Sequence, residues 1–231
     1  MQKKRRNDRE VPSTDQPHSP AERQPYHHGD LRAALIAAAL ALIEQHGVKG
    51  FTLKDAARMA GVSIAAPYRH FADKDALLGT IQTEGFARFN AALLAAYQQA
   101  ATPQAKFLEL GVAYVHFALQ HPAHFRVIFS MESKGAAPQS TAADRDGFSL
   151  LVEAVTALYP SASHQQIHDI VLANWSLVHG FALLYIDGSF TATVGPFDPE
   201  SQLRRTLALS LPPSSETPAV PDPASPSILN Q

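Results

Sequence analysis

The sequence predicts an all-α fold, and three observations carry that expectation. Between residues 30 and 209, apolar residues recur at three- and four-residue spacing. Ser, Thr or Asp stands before most of these runs, and Gly or Pro closes them. Almost nothing in this middle region shows the apolar–polar alternation of a half-buried strand.

Taken in order, DLRAALIAAALALIEQHG predicts a helix over 30–47, with Asp30 in its first turn and Gly47 as its stop. Thr52 caps a short helix, LKDAARMA, over 53–60, which ends at Gly61. Ser63 caps a second short helix over 64–70, and Asp73 opens a long alanine-rich one over about 74–100. Thr102 followed by Pro103 is a cap with proline at the first helical position, starting 103–121. His121-Pro122 breaks that helix and begins another over 122–131. A Gly/Ala/Pro loop is expected over 131–142, then helices over 143–159 and 163–187, the second capped by Ser163 and ended by Gly188. Asp198-Pro199 starts a last helix, to about residue 209. Nine helices are expected.

Composition bounds what this bundle can do. The chain has 231 residues, 45% of them hydrophobic and 17% charged, and no cysteine. Disulfides, thiolate catalysis and thiolate zinc sites are thereby excluded, which suits a reducing cytoplasm. The basic start MQKKRRNDRE is followed by no apolar run, so it does not read as a secretory signal. No run approaches 18 consecutive apolar residues, so no membrane-spanning helix is expected and the localisation expected is cytoplasmic. Basic against acidic residues number six to four in 1–25, six to five in 26–80 and seven to twelve in 81–231. The N-terminal third is therefore the part that can approach a phosphate backbone at least cost. Residues 1–25 and the Pro/Ser-rich 211–231 read as disordered tails flanking a domain over 26–75 and a second over 76–210. KKRR at 3–6 is either a solvated tail or an arm grazing phosphate or the minor groove.

The stretch VSIAAPYRHFADKDALL, residues 62–78, carries the most specific signal. Two short helices joined by Gly61-Val62-Ser63 make a helix-turn-helix, with Ala57 where they cross, Gly61 in the left-handed turn and Val62 as an apolar plug. The second helix is then the element offered to the major groove of DNA. Ala65 and Ala66 allow close approach to base edges, and their methyls suit thymine methyls. Pro67, as the fourth helical residue, forfeits only the first intrahelical bond and is expected to be tolerated. Tyr68 and Arg69 offer a hydroxyl and a guanidinium to phosphate, or Arg69 to guanine. Lys74 and Thr52 each place a donor beside a helix N-terminus, where a phosphate is favoured.

These residues resemble the tetracycline-repressor (TetR) family of transcriptional regulators. The likeness runs through FTLKDAARMAGVSIAAPYRHFADKDALL and covers roughly residues 28–80. YVHFALQHPAHFRVIF (114–129) and WSLVHGFALLYIDG (175–188) resemble the C-terminal domain of the family branch known by its Trp-His-Gly, here Trp175, His179 and Gly180. Pro67 departs from the β-branched residue or leucine of many members. The resemblance implies an N-terminal three-helix DNA-binding domain and a helical ligand-binding and dimerisation domain. It also implies a homodimer on a palindromic double-stranded DNA operator, with a small-molecule effector shifting DNA affinity. The family's phosphate contacts fall on Thr52, Tyr68 and Lys74, and its base-reading positions on Ser63, Ile64, Ala65 and Arg69. His70 and Phe71 are expected to pack the junction with the long helix.

In the second domain Phe107, Tyr114, Phe117, Phe125, Phe129, Trp175 and His179 suit a packed core and an apolar effector site about equally. Arg126 is the one nearby cation, and the stripe Ile167, Val171, Val178 and Leu184 is expected at a helical dimer interface. His164 and His168 have a spacing that would suit zinc, but with no third ligand they read as surface histidines, as do His27 and His28. No metal and no cofactor are expected. Paired carboxylates, a nucleophile–base pair and a phosphate loop are missing from the sequence, so an enzyme is not expected. The alternative is a DNA-binding regulator without small-molecule control, either corepressor-dependent or nucleoid-type.

Overall fold

The structure, a computed structural model, describes residues 31–130 and 146–213. Every element among them is helical: α1 (Leu31–His46), α2 (Leu53–Met59), a 3₁₀ turn (Pro67–Arg69), α3 (Lys74–Gln99), α4 (Pro103–Gln120), α5 (Pro122–Ile128), α6 (Gly147–Leu158), α7 (His164–Ile186), α8 (Ser189–Val194) and α9 (Pro199–Ala208). The readings of residues 1–25, His27, His28, Asp30 and 131–142, and of the tail beyond 213, fall outside the described residues.

Capping chemistry sets most of the starts. The hydroxyls of Thr52, Thr102 and Ser163 and the carboxylates of Asp73, Asp146 and Asp198 each accept the backbone N–H three residues on. Each such cap stabilises its helix by about 1 kcal/mol. Thr52 and Ser163 form full capping boxes with Asp55 and Gln166. Asp146 is extended, with ψ 163°, and caps α6 at Gly147, while the expected first residues 143–145 fall outside the described residues. α5 stops at Ile128, three residues earlier than expected: Phe129 leaves helical dihedrals, and the Ser130 hydroxyl turns back to the Val127 carbonyl at 3.1 Å. α8 was not expected at all. It follows Gly188, buries no residue and has no side-chain cap, and Phe190 ties it to Phe181, ring centroids 5.1 Å apart.

The expected second helix of the helix-turn-helix is the largest difference. Residues 64–70 form a turn and three residues of 3₁₀ helix instead of α-helix. Ala66 N–H bonds to the Ser63 carbonyl, Arg69 N–H to Ala66 and His70 N–H to Pro67, all three-residue closures. Pro67 is the cause: it has no N–H to return to residue 63, so the chain restarts with proline at the first helical position. Ser63 contributes its carbonyl here, with no helix behind it for its hydroxyl to cap.

A hydrophobic cluster built on Phe89, Leu93, Phe107, Val115, Phe125, Leu150, Val155, Val171 and Leu207 joins α3, α4, α5, α6, α7 and α9. Buried residues further upstream, among them Leu35, Ile43, Phe51, Ala57, Phe71, Leu77 and Ile81, lie outside it. α3 carries residues of both sets, and Gly85 lies where it packs against α5. A Cβ added there would meet Ile128 Cγ2 at 2.7 Å, so a side chain at this crossing would force the helices apart. At the far end Arg204 on α9 grips Glu109 on α4 with two nitrogens, at 2.8 and 3.0 Å. That pairing holds the Glu109 carboxyl below its usual range.

One helix passes a looser test than an unbroken apolar run, a test that the core helices of soluble proteins also pass. α7 is long and apolar enough to cross a membrane by length and composition, with a mean hydropathy of 1.4 over 18 residues. Counting only unbroken apolar runs missed it, because single polar residues interrupt the helix. One face of it packs on α4 and α6.

Candidate nucleic-acid interface and ligand site

The helix-turn-helix is assembled from buried small residues and an exposed tip. Ala57 is fully buried, and its carbonyl accepts the Val62 N–H at 3.0 Å across the turn. Gly61 adopts φ +69°, the left-handed conformation that side chains resist. Pro67 and Phe71 are buried and anchor the segment from below. Above them Ser63, Ile64, Ala65, Tyr68 and Arg69 are exposed on one short stretch, Ile64 at 47% and Tyr68 at 53%. His70, expected to pack with Phe71, is exposed beside them, because the 3₁₀ turn advances each residue by 120° and swings it outward.

Thr52 and Lys74 are less free than the sequence implied. The Thr52 hydroxyl lies 2.6 Å from Asp55 Oδ2, and that contact, with the Thr52 backbone N–H, lowers the Asp55 carboxyl. Lys74 donates to the Lys49 carbonyl at 3.3 Å and sits 4.4 Å above the Phe51 ring. Burial pushes its ammonium below the usual lysine value. An ammonium has three donors, so one bond to Lys49 leaves others for a second partner.

The aromatic residues of the second domain divide into three groups. Tyr114, Phe125, Phe129 and His179 come together, with ring centroids 4.9 to 6.3 Å apart. The Tyr114 hydroxyl pairs with His179 Nδ1 at 2.8 Å. Burial raises the Tyr114 phenol, offset in part by a hydrogen bond with the Trp175 side chain, and lowers the His179 imidazole. Both groups are therefore neutral at pH 7. Phe117 reaches this cluster through Phe89, while Phe107 is buried core with no ring partner in it. Trp175 is 39% exposed and meets Phe148 edge-on, so it is not core.

Phe89 is the residue the sequence reading missed. Its ring stands 5.1 Å from Tyr114, 5.2 Å from Phe117 and 5.9 Å from Phe129. The signal was present: Ile81, Gly85, Phe89, Leu93 and Tyr97 recur every four residues along α3 and are all buried. Arg126 is tied to Asp187 at 3.1 Å and does not face the cluster as a spare cation. Ile167, Val171 and Val178 face the core of their own chain, so they cannot form a dimer stripe. The outward face of α7 instead shows Leu172, Ala173, Trp175, Ser176 and Leu184. His164 and His168 are exposed, and among the described residues no three metal-ligating side chains come together.

A helix-turn-helix with an exposed tip, joined through a long helix to a separate aromatic-rich bundle, defines a class: the DNA-binding helical regulators. Residues 35–81 match the family profile described as bacterial regulatory proteins, tetR family. Residues 107–209 match the one described as tetracyclin repressor-like, C-terminal domain. The chain belongs to the tetracycline-repressor family of transcriptional regulators. Proteins of this family are soluble DNA-binding regulators, not enzymes, and act as dimers that bind small-molecule effectors. A solved protein of unknown function from Rhodococcus sp. RHA1 shares 31% identity and a TM-score of 0.62, over 81% of this chain and 96% of that one. A regulatory protein in the tetR family from Rhodococcus RHA1 shares 23% identity and a TM-score of 0.60, over 77% and 93%. A TetR variant from Acinetobacter baumannii AYE, solved in complex with minocycline, shares 17% and a TM-score of 0.51, over 78% and 93%. No curated protein gives a significant match.

Proposed function

We propose that this regulator is a one-component repressor that binds a palindromic operator as a homodimer in the cytoplasm and is released by a small, largely apolar effector. The observation that carries the reading is the exposure of Ile64 and Tyr68, large side chains that a folded domain would otherwise bury, on a segment held rigid by Pro67 and Phe71. Ser63, Ile64, Ala65 and Arg69 read base edges, while Thr52, Tyr68 and Lys74 contact phosphates. A segment this short reads few base pairs, and two copies related by a two-fold axis reach operator-length specificity. The reading domain spans 26–75 and the effector and dimerisation domain 76–210, with the segments 1–25 and 211–231 as tails. The copies meet through the outward face of α7, where Ala173, Ser176 and Gly180 let two helices approach closely and Leu184 fills the seam.

The effector site is the cluster of Tyr114, Phe125, Phe129 and His179, flanked by Phe117 and Trp175, with Phe107 supporting it from the core. Tyr114 and His179 are neutral and Arg126 is spent on Asp187, so the cluster suits an uncharged apolar molecule bearing one or two hydrogen-bonding groups. A hundredfold loss of operator affinity needs a differential binding of about 2.7 kcal/mol between the two conformations. α3 transmits it, since Lys74 stands at one end and Phe89 in the cluster. The mutual contact of the rings favours one other reading, a DNA-binding regulator whose second domain is packed solid and takes no effector. The test is selection of bound duplexes from a random pool, then melting-temperature and gel-shift screens of the selected complex against apolar compounds. A compound that stabilises the protein and releases DNA supports the effector reading; palindromic binding indifferent to every stabilising compound supports the other.

A further inference from the structure

Along the seam where α3 and α4 lie side by side, a groove of about 330 Å³ opens to solvent. Its polar lining consists of Arg88, His116, Gln120 and His121, each a hydrogen-bond donor or a cation, and no carboxylate lines it. Arg88 is exposed and forms no ion pair among the described residues. Glu84, one turn earlier on α3, is drawn to Arg32 at 3.4 Å. Among the described residues Glu200 pairs with a lining residue, 3.2 Å from His116 Nε2, and the carboxylates of Glu109 and Asp198 also feel the charge of that histidine. The floor is apolar: Phe117 is buried, and its ring lies 5.0 Å from that of His121.

We infer that this groove is a second small-molecule site, beside the aromatic cluster and sharing only Phe117 with it, for a small organic anion with a short apolar body. A planar carboxylate matches the two-donor edge of the Arg88 guanidinium, while Gln120 and His121 supply further donors. A cleft walled on one side by low-dielectric side chains concentrates the field of an unpaired cation, so the charge attracts an anion more strongly than on a flat surface. The volume sits at the small end of ligand sites, enough for a ring or short chain and too small for an extended lipid. Phe117 and His121 offer the ring face against which such a body lies. Because Arg88 belongs to α3, an anion held there bears on the helix that leads to the reading segment.

Calorimetric titration of the full chain at pH 7 tests this with benzoate, inorganic phosphate and benzyl alcohol. Benzoate is expected to bind, benzyl alcohol to bind at least tenfold more weakly, and phosphate to fall between them. Arg88→Ala and, separately, Gln120→Glu should each weaken benzoate binding tenfold or more while the far-ultraviolet spectrum and melting temperature hold. Both positions are exposed, so neither variant is expected to unfold the protein. Phosphate binding without benzoate binding would remove the apolar body from the inference. Equal binding of benzoate and benzyl alcohol, benzoate affinity unchanged in both variants, or no binding of either anion would overturn it. Benzyl alcohol is uncharged and suits the aromatic cluster as well, so its heat is assigned to the groove only where Arg88→Ala removes it, and failure of the two anion arms leaves the reading of the aromatic cluster standing.

Discussion

The Tyr114 hydroxyl and His179 Nδ1 stand 2.8 Å apart and join α4 to α7 across 65 residues of sequence. A neutral imidazole can take either role in this bond, but an imidazolium can only donate, and burial of His179 opposes that form. His124 is held below the ordinary histidine value as well, first by burial and then by Arg88 and His121, with Glu84 acting in the opposite direction.

The sign of the pH dependence follows. The unfolded chain protonates both histidines near the ordinary value of 6.5, while the folded chain resists until the pH is lower. Their contribution to stability is therefore complete above about pH 6.5 and is lost as the pH falls toward the folded values, at up to roughly 1.4 kcal/mol per pH unit for each group. Melting temperatures recorded from pH 8 to pH 5 should decline on the acid side, and less steeply in His124→Gln and His179→Gln. Parallel curves for wild type and both variants would show that these groups do not titrate with folding.

Tyr68→Ala and Arg69→Ala are expected to abolish specific operator binding while the melting temperature stays within about 0.5 kcal/mol equivalent, since both side chains are exposed. Each lost phosphate contact should also flatten the log–log salt dependence of residual binding by about one unit. Gel shifts at several salt concentrations, with calorimetry of the free proteins, provide the check.

Gly85 offers a test of the α3–α5 crossing. Gly85→Val places methyls where Ile128 Cγ2 already stands and should destabilise the protein by about 1–3 kcal/mol. Ile128→Ala alone should also destabilise, by opening a cavity, yet the double variant should be more stable than the two losses added together. Strict additivity in urea unfolding would mean that the helices do not meet there as described.

Leu184→Arg and Gly180→Arg should convert a dimer to monomers at micromolar concentration, seen by light scattering, while helix content is kept. Leu184 is 46% exposed, and a side chain added at Gly180 meets nothing within 4 Å of its Cβ, so neither change disturbs the fold of one chain. Val178→Arg serves as the contrast. Val178 is buried, and a charge there should unfold the protein rather than divide it.

What the sequence determined by itself is local. Helix starts were legible at Thr52, Asp73, Thr102, Ser163 and Asp198, because a cap satisfies amides within three residues of itself and needs no partner from elsewhere. The left-handed turns at Gly47 and Gly61 were legible for the same reason, as were the exposed Tyr68 and Arg69 beside the buried Phe71. Pro67 was seen, but its effect was underestimated: the missing N–H turned an expected α-helix into a 3₁₀ turn, since too few residues follow it to restart an α-helical ladder. Tertiary structure alone decided which face of α7 is core. Ile167, Val171, Val178 and Leu184 are equally apolar in sequence, but packing on α4 and α6 buries the first three and leaves Leu184 in solvent. It also decided that Trp175 lies at the surface while Phe89 occupies the centre of the aromatic cluster, and that Lys74 turns to Phe51 and Lys49. Periodicity shows that a helix has an apolar side, but the neighbours that cover that side come from residues tens of positions away.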